Sequence, residues 1–262
     1  MPQALALPFC VASGAEQMAV DEALLAWAAE GPARLVFRTY GWSRPTLSLG
    51  RAEPFPASWD PDALRRDGID VVRRPTGGDA VLHDQELTFA VAASLPGPWG
   101  ARPRAFANLV ADALAEAFRA LELKATRVEA ARAKDAPPTP GPGAQPCFAR
   151  AAPGEVRVGA FKVAGIACRF TRGAALSHAS VPLSARHRDV ARYRAPSASA
   201  ADREALARHA RAASEILGRP IDGAALGAGL RRELAQSLGM PLVAAEFDAV
   251  GIRAPLGVPA AW

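Results

Sequence analysis

Apolar segments that follow one another too closely for a helix to lie between them limit the folds open to this chain. Residues 155–161, 163–169 and 174–183 have the composition of strands, and only short connections separate them. Connections this short join antiparallel strands, because a parallel pair needs a crossover of about a dozen residues. We therefore predict a β-hairpin around Phe161 and Lys162, followed by a further strand. Lys162 then lies at the hairpin tip, or where a bulge interrupts one strand.

The other apolar patterns place strands and helices in an irregular order. Strands are predicted at 35–40, 46–50, 69–72 and 87–92, and helices at 15–30, 61–67, 106–121, 203–217 and 224–238. In the first helix, Asp21 and Glu22 lie near the start, where acidic side chains interact favourably with the helix dipole. This order predicts an α+β fold with a mixed, largely antiparallel sheet packed with helices, rather than a regular βαβ alternation.

Two segments of biased composition interrupt these patterns. Residues 136–145 are dense in Pro and Gly, which predicts a loop. Residues 196–201 are rich in Ser and Ala, a composition typical of a linker. We therefore expect a main domain over residues 1–195, and a C-terminal helical extension over residues 196–262 that packs on the same domain.

The overall composition is that of an ordinary soluble globular protein. Of 262 residues, 50% are hydrophobic and 22% are charged, and a chain of this length can bury a sizeable core. The first residues show no basic region followed by an apolar stretch, and no run approaches the roughly 18 apolar residues of a membrane span. Three scattered cysteines do not form a disulfide framework. We expect a cytoplasmic protein without membrane association.

The net charge of +5 has two interpretations. In the first, the charge has no specific role, because arginine simply replaces lysine on the solvated surface. In the second, the positive charge attracts an acidic partner. The basic residues are spread along the chain, and no stretch alternates basic with aromatic residues as a nucleic-acid-binding face does. The sequence therefore favours a soluble acidic protein, and not a nucleic acid, as the partner that such a charge would attract.

The segment Arg-Arg-Pro-Thr-Gly-Gly at residues 73–78 follows a predicted strand. Two adjacent arginines at a strand end can offer forked donors to a carboxylate or a phosphate. Two glycines let the backbone approach a ligand closely. The same pattern also fits a surface strand that ends in a glycine turn, and it lacks the spacing of a Walker loop or a Rossmann fingerprint. Ligand binding and a plain turn both remain open here.

Three single residues downstream can carry chemistry, and each also has a structural explanation. Cys147 is a candidate nucleophile beside the Pro/Gly-rich loop if its pKa is lowered, or else an inert thiol. Lys162 can stabilise a thiolate or the negative charge on a reacting carbonyl, or else it is exposed on a turn. His178 can orient a ligand or move a proton, or else it is a hydrogen-bonded core histidine. No His/Cys cluster has metal-ligand spacing, so no metal site is expected.

Taken in order, these segments resemble the lipoate–protein ligase and octanoyltransferase family, which shares a catalytic-domain fold with biotin–protein ligases. The matching residues are 18–25, 45–50, 73–78, 80–84, 86–88, 146–148, 162–165 and His178. The Arg-Arg-Pro-Thr-Gly-Gly segment, followed downstream by Lys-Val-Ala-Gly, is a fairly specific pairing. The resemblance implies the fold of that family and makes residues 1–195 a catalytic domain.

The resemblance also implies that an acyl group is moved onto a lysine of a lipoyl carrier domain. Ligases of the family activate lipoate with ATP, whereas octanoyltransferases take octanoate from acyl carrier protein and hold it as a cysteine thioester. This chain is more similar to the single-domain, cysteine-dependent octanoyltransferases, because Cys147 and Phe148 lie just before the lysine hairpin. On this interpretation Cys147 is the nucleophile, Lys162 stabilises the thiolate and the oxyanion, and an apolar tunnel holds the eight-carbon chain. The implied substrate-binding residues are Arg73, Arg74, Thr76, Gly77, Gly78, Asp79, Ala80, His83, Gly165, Ala167 and His178.

Three positions depart from the family pattern. Asp79 stands where Arg or Gly is common, and its charge would repel an adenylate; Ala179 replaces a Gly, and Ile166 replaces a small Ser. Three alternatives follow: an octanoyltransferase that needs no cofactor, a lipoate ligase that needs ATP and Mg²⁺, and a divergent binding protein without catalysis. The expected partners are acyl carrier protein and a lipoyl domain or a carrier like the glycine cleavage H protein. The chain itself is expected to be a monomer.

Overall fold

A large mixed sheet and a small second sheet carry the fold. The computed structural model describes residues 3–100, 102–129 and 145–255, so most of the predicted loop at 136–145 lies outside the described residues. The strands are β1 (Gln3–Ala6), β2 (Cys10–Ala12), β3 (Arg34–Trp42), β4 (Thr46–Leu49), β5 (Asp70–Arg73), β6 (Val81–His83), β7 (Glu86–Ser94), β8 (Ala125–Arg127), β9 (Val156–Val158), β10 (Phe161–Thr171), β11 (Ala174–Pro182) and β12 (Val243–Ala244). The α-helices are α1 (Gly14–Ala29), α2 (Pro61–Arg66), α3 (Pro103–Arg119), α4 (Pro196–His209), α5 (Ala213–Leu217) and α6 (Gly223–Leu238).

The strand order of the large sheet is β12-β1-β3-β7-β11-β10-β9-β8, and β2 pairs with the end of β3. From β3 to β8 every neighbouring pair is antiparallel, whereas β1 runs parallel to both β3 and β12. In the small sheet, β4 lies between β5 and β6. The predicted α+β fold with a mixed, largely antiparallel sheet is confirmed.

Helices cover both faces of the large sheet. Along β7, Phe89 and Val91 join the hydrophobic core beneath α3 and α6, whereas Ala90 and Ala92 join the core beneath α1. Side chains of a strand alternate between the two faces, so β7 must be apolar at both sets of positions. This explains why the central strands are continuous apolar runs in the sequence.

The predicted β-hairpin is present, but its tip is not at Phe161 and Lys162. The turn comes earlier, at Gly159 and Ala160, where Gly159 adopts a positive φ of 59° that glycine tolerates without strain. Lys162 therefore lies inside β10. There the pairing with β9 shifts register between Lys162 and Ala164, so the predicted bulge, and not the predicted tip, is correct.

The C-terminal region differs from the sequence prediction in two places. Residues 196–201 begin α4 and are not a linker; Pro196 occupies the first turn, where its missing N–H group costs no helical hydrogen bond. The single helix predicted at 203–217 is interrupted between α4 and α5. Helix α6 contributes Leu226, Leu230 and Leu234 to the main core. We infer that the region after residue 195 belongs to the same folding unit as the rest.

Candidate active site

A cavity of about 280 Å³ is lined by residues from both sheets and from α1. Most of the residues predicted to bind substrate lie on its wall. On the side of the glycine segment these are Arg74, Gly77, Gly78, Asp79 and His83. On the side of β10 and β11 they are Lys162, Gly165, Ala167 and His178, with Cys147 nearby on the same wall. Arg73, Thr76 and Ala80 are not part of this lining. The fold thus brings together residues from Met18 to Ser180, which are 162 residues apart in sequence.

Cys147 and Lys162 are in direct contact at this wall. Cys147 begins a short 3₁₀ helix (Cys147–Ala149), and Lys162 reaches it from β10. Lys162 Nζ lies 3.1 Å from Cys147 Sγ and donates hydrogen bonds to the Cys147 carbonyl oxygen at 2.7 Å and to Glu155 Oε1 at 2.6 Å. Glu155 is held in turn by the Ala152 N–H group. Lys162 is only 1% exposed and Glu155 is 5% exposed, whereas Cys147 is half-buried, so the lysine belongs to a Cys–Lys–Glu cluster at the cavity wall and is not on a surface turn.

Burial and mutual charge set the protonation of this cluster. Burial raises the pKa of the Cys147 thiol, and the positive charge of Lys162 offsets only part of this effect. Burial alone would lower the pKa of Lys162, but the negative charge at Cys147 and Glu155 outweighs it, so the pKa is raised. Burial also raises the pKa of Glu155. At neutral pH the Cys147 sulfur is therefore a thiol, and Lys162 is an ammonium held by the Glu155 carboxylate.

The two arginines of the glycine segment bind backbone carbonyls of this chain. Arg74 donates to the carbonyl oxygens of Ser48, Gly77 and Asp79 at 2.7 to 2.8 Å. Arg73 donates to those of Gly50 and Glu53 at 2.7 and 2.8 Å. These contacts fix the shape of the loop at 74–80. Substrate binding by either guanidinium group stays a prediction.

Asp79 and Ala80 connect the glycine segment to the cysteine segment. The Cys147 N–H group donates to the Ala80 carbonyl oxygen at 3.1 Å. Arg150 Nη2 lies 3.7 Å from the Asp79 carboxylate. Asp79 departs from the family pattern, and its negative charge lies near the positive charge of Arg150, three residues after Cys147.

His178 is held between Asp21 and Thr76. Its Nδ1 lies 3.1 Å from Asp21 Oδ2, and its Nε2 lies 2.6 Å from Thr76 Oγ1. Asp21 is fully buried and also binds Arg38 Nη2 at 2.6 Å and the Tyr40 hydroxyl at 3.0 Å. The predicted interaction of Asp21 with the helix dipole is therefore not its main role. It is the central acceptor of a buried network that fixes one wall of the cavity.

His83 belongs to a second buried network on the cavity wall. Its Nε2 lies 2.7 Å from Ser48 Oγ, and its Nδ1 lies 2.7 Å from Glu86 Oε1. Glu86 also accepts hydrogen bonds from the hydroxyls of Thr88 and Ser180. These polar groups satisfy one another, so they do not require a polar ligand. The wall they form is compatible with an acyl chain.

Two parts of the site were not identified from the sequence. Glu155 directly precedes β9, seven residues before Lys162, and an acidic residue beside an apolar hairpin was the available signal. The second is the support of Lys162 from the C-terminal region: the Arg211 N–H group donates to the Lys162 carbonyl oxygen at 3.2 Å. No sequence pattern pointed to this contact, because it joins residues that are far apart in the chain.

Gly50→Ala is expected to destabilise the protein. A Cβ atom at Gly50 would overlap with the Gly78 carbonyl oxygen, whereas one at Gly77 would meet nothing within 4 Å. We expect the free energy of unfolding to fall by about 1–3 kcal/mol for Gly50→Ala and to change by no more than about 0.5 kcal/mol for the control Gly77→Ala. Urea denaturation of both variants measures this difference. Equal effects would mean that the close approach of the two loops does not matter.

Two kinds of feature are not found in the described residues. In residues 3–100, 102–129 and 145–255, no three His, Cys, Asp or Glu side chains are grouped so that they could hold a metal ion. In the same part of the chain, no helix has the length and apolar character needed to cross a bilayer.

Comparison with known proteins identifies the family. The model of the lipoyl protein ligase A/B catalytic domain matches residues 13–233. The octanoyltransferase LipM of Anoxybacillus flavithermus is 37% identical over 174 residues, which are 65% of this chain and 62% of that protein. LipM of Kyrpidia tusciae is 33% identical over 245 residues, or 90% of this chain and 88% of that protein. This chain matches only about three fifths of the length of several relatives, including the A. flavithermus protein.

Solved structures show the same fold. A bipartite lipoate protein ligase from Thermoplasma acidophilum, studied with its E2 lipoyl domain, superposes with a TM-score of 0.76 at 18% identity, over 95% of this chain and 90% of that one. A lipoate–protein ligase A bound with ATP gives a TM-score of 0.73 at 20% identity, over 95% and 92%. At these identities the likeness concerns the fold alone. Together with the match over residues 13–233, it shows that this chain belongs to the lipoyl protein ligase A/B catalytic domain family.

Proposed function

We propose that this protein transfers an octanoyl group to a lysine of a lipoyl carrier domain through a thioester on Cys147. The contact of Cys147 Sγ with Lys162 Nζ at 3.1 Å, on the wall of a cavity, carries this proposal. A neighbouring cation favours the thiolate form in which a cysteine reacts. The relatives named octanoyltransferase LipM support the same chemistry.

The reaction has two acyl-transfer steps. The Cys147 thiolate attacks the thioester carbonyl carbon of the donor; the bond from that carbon to the donor sulfur breaks, and the donor thiol leaves with a proton. The amine of the carrier lysine then attacks the Cys147 thioester, an amide forms, and the Cys147 thiol is released. The Lys162 ammonium supplies positive charge beside the sulfur, where it stabilises the thiolate and the oxyanion of each step.

We infer that the cavity wall selects among acyl chains. Met18, Val81 and Ile166 line the cavity, and the hydroxyls and imidazoles described above bind one another. Each buried CH₂ group of a chain contributes about 0.8 kcal/mol, so the length of the cavity discriminates between acyl groups. We propose that octanoyl fits and that longer chains do not.

We further propose that the reaction needs neither ATP nor Mg²⁺, because the donor thioester is already activated. Asp79 supports this view: the residue is part of the cavity lining, and its negative charge would disfavour the phosphate of an adenylate. As donor we propose acyl carrier protein, a soluble acidic partner for a chain of net charge +5. As acceptor we propose a lipoyl domain or an H-protein-like carrier, with the enzyme acting as a cytoplasmic monomer.

Incubation with octanoyl acyl carrier protein is expected to add one octanoyl group to Cys147. Peptide mass spectrometry locates the adduct, and hydroxylamine should remove it because it is a thioester. Cys147→Ala should carry no adduct, whereas Cys168→Ala should be labelled like the native protein. Addition of a lipoyl domain should then move the octanoyl group to its lysine.

A second set of reactions separates the alternatives. It contains lipoate, ATP, Mg²⁺ and the lipoyl domain but no octanoyl donor. Lipoylation in this set, with no adduct on Cys147 in the first, would show a ligase. Inactivity in both sets, with retained binding of the acyl donor, would show a binding protein without catalysis.

A further inference from the structure

Lys162 has no capacity to accept a proton in the geometry of the resting site. Its Nζ faces three acceptors: the Cys147 carbonyl oxygen at 2.7 Å, Cys147 Sγ at 3.1 Å and Glu155 Oε1 at 2.6 Å. Three donated hydrogen bonds require three N–H groups, which only the ammonium form provides. The thiol proton of Cys147 must therefore go elsewhere when the thiolate forms.

Glu155 is the neighbouring group that can take this proton. Cys147 Sγ lies 3.9 Å from Glu155 Oε1, within hydrogen-bonding distance for sulfur. The other charged groups whose fields reach the pair are Arg74, near Cys147, and Arg150, near Glu155. Both are guanidinium cations, which stay protonated and cannot act as bases. Glu155 is buried, with 5% exposure, so its carboxylate is held beside the half-buried Cys147 and is largely shielded from water.

We propose that Glu155 is a catalytic acid–base residue that accepts the Cys147 thiol proton and delivers it to the departing thiol of the acyl donor. The proposal rests on the octanoyl transfer proposed above and assigns the proton movement in its first step. Lys162 keeps its three protons throughout and acts as the fixed positive charge between sulfur and carboxylate.

The first step balances with this assignment. The proton of Cys147 Sγ moves to Glu155 Oε1, and the thiolate forms a bond to the thioester carbonyl carbon. The tetrahedral intermediate collapses, the bond to the donor sulfur breaks, and the donor sulfur takes the proton from the Glu155 carboxylic acid. The carboxylate is restored, Cys147 carries the acyl group, and no co-reactant is consumed.

The energetics of the cluster agree with such an exchange. Burial raises the pKa of Glu155, which makes the carboxylate a stronger base than an exposed glutamate. The Glu155 charge also contributes to the raised pKa of the Cys147 thiol. Loss of the carboxylate has two opposing effects on the rate. The Cys147 thiol ionises more easily, which favours attack, but the departing thiol of the acyl donor loses its proton source, which slows its release.

The variant Glu155→Gln tests both consequences. The first measurement is the pH profile of Cys147 alkylation by iodoacetamide, followed by peptide mass spectrometry, in which the leaving iodide needs no proton. We expect the midpoint to move to lower pH in Glu155→Gln, with about tenfold faster alkylation near neutral pH for a shift of about one unit. Peptides that contain Cys10 and Cys168 are internal controls and should react alike in both proteins.

The second measurement is the single-turnover rate of Cys147 acylation by octanoyl-pantetheine. Here we expect Glu155→Gln to be about 10²-fold slower than the native protein. With octanoyl thionitrobenzoate, whose aromatic thiolate leaves without a proton, the acylation rate of the variant should fall much less. A merely structural role of Glu155 would slow alkylation and both acylations together.

Each outcome decides the proposal. An unchanged alkylation midpoint, or equal losses with the two octanoyl donors, would overturn it. If the native protein accepts no octanoyl group, the proposed function fails, and the alkylation midpoint alone then decides whether Glu155 controls the Cys147 proton. If Glu155→Gln does not fold by circular dichroism, Glu155→Asp decides: it keeps the charge but draws the carboxylate back from sulfur, and native acylation rates in it would overturn the proposal.

Discussion

Lys162→Met is expected to reduce the proposed octanoyl transfer by about 10³-fold, the effect of losing a preorganised positive group beside an oxyanion. The substitution keeps a long apolar side chain but removes the charge that lies 3.1 Å from Cys147 Sγ. Single-turnover acylation of Cys147 by octanoyl acyl carrier protein measures the loss. The matched control is Lys124→Met, because Lys124 is an exposed lysine, and it should transfer at the native rate.

Lys162→Met is also expected to destabilise the fold in a pH-dependent way. Glu155 stays buried without its cation, which costs about 3–5 kcal/mol when the carboxylate is charged. Burial already raises the pKa of Glu155, and loss of Lys162 raises it further. A raised folded-state pKa means that the variant is more stable below the pKa of the unfolded carboxyl and loses stability as pH rises through the folded-state pKa. Urea denaturation should therefore show a smaller deficit at pH 5 than at pH 8, and a pH-independent deficit would contradict this account.

Asp21→Asn is expected to lower the free energy of unfolding by about 3–5 kcal/mol, because it leaves the buried Arg38 without its counter-charge. Arg38 and Asp21 are both 0% exposed and are joined by a 2.6 Å ion pair. The amide keeps the shape of the carboxylate but cannot accept all the hydrogen bonds from Arg38, Tyr40 and His178. That loss is a large part of the stability of an ordinary domain. Urea denaturation at neutral pH provides the measurement.

A matched control and a pH series test the cause. The ion pair of Glu204 with Arg208 is exposed, so Glu204→Gln should change stability by no more than about 0.5 kcal/mol. Burial alone would raise the pKa of Asp21, but Arg38 and His178 outweigh it, and the pKa is lowered. Asp21 therefore stabilises the native protein above the unfolded carboxyl pKa, and this contribution is lost as pH falls through the folded-state value. The gap between native protein and variant should shrink in acid; a constant gap would point to packing instead of charge.

Local patterns predicted most of the fold. The apolar runs of β7 and β11 and the periodicity of α3 are local properties of the sequence, and they gave the correct elements. The tip of the β9–β10 hairpin was misplaced because Gly159 determines it through a positive φ, whereas Phe161 and Lys162 have strong strand character. The segment at 196–201 was misread because its small residues fit a linker as well as a helix, and only tertiary packing decides between them.

The site was predictable to the extent that its motifs are contiguous. Cys147 and Lys162 are each ambiguous when considered alone, and only the resemblance to the family singled them out. The structure places Lys162 Nζ 3.1 Å from Cys147 Sγ. Other contacts that build the cavity wall join residues far apart in the sequence: Asp21 contacts His178 across 157 positions. No window of sequence contains such a contact. For the same reason the two arginines at 73 and 74 suggested anion binding, while the carbonyl groups that they bind in the fold were not visible from the sequence.

The extra residue in β10 explains why the motif reads Lys-Val-Ala-Gly. Residues three apart on a regular strand point to opposite faces, yet Lys162 Nζ lies 3.1 Å from Cys147 Sγ, and a Cβ at Gly165 would lie 3.3 Å from the same sulfur. The bulge at Val163 restores the alternation. An odd spacing of these two residues is thus a signature of the irregular strand itself. If β10 were straightened without a change of length, either the Lys162 ammonium or the Gly165 position would turn away from the Cys147 sulfur. The three-residue spacing and the bulge must therefore occur together.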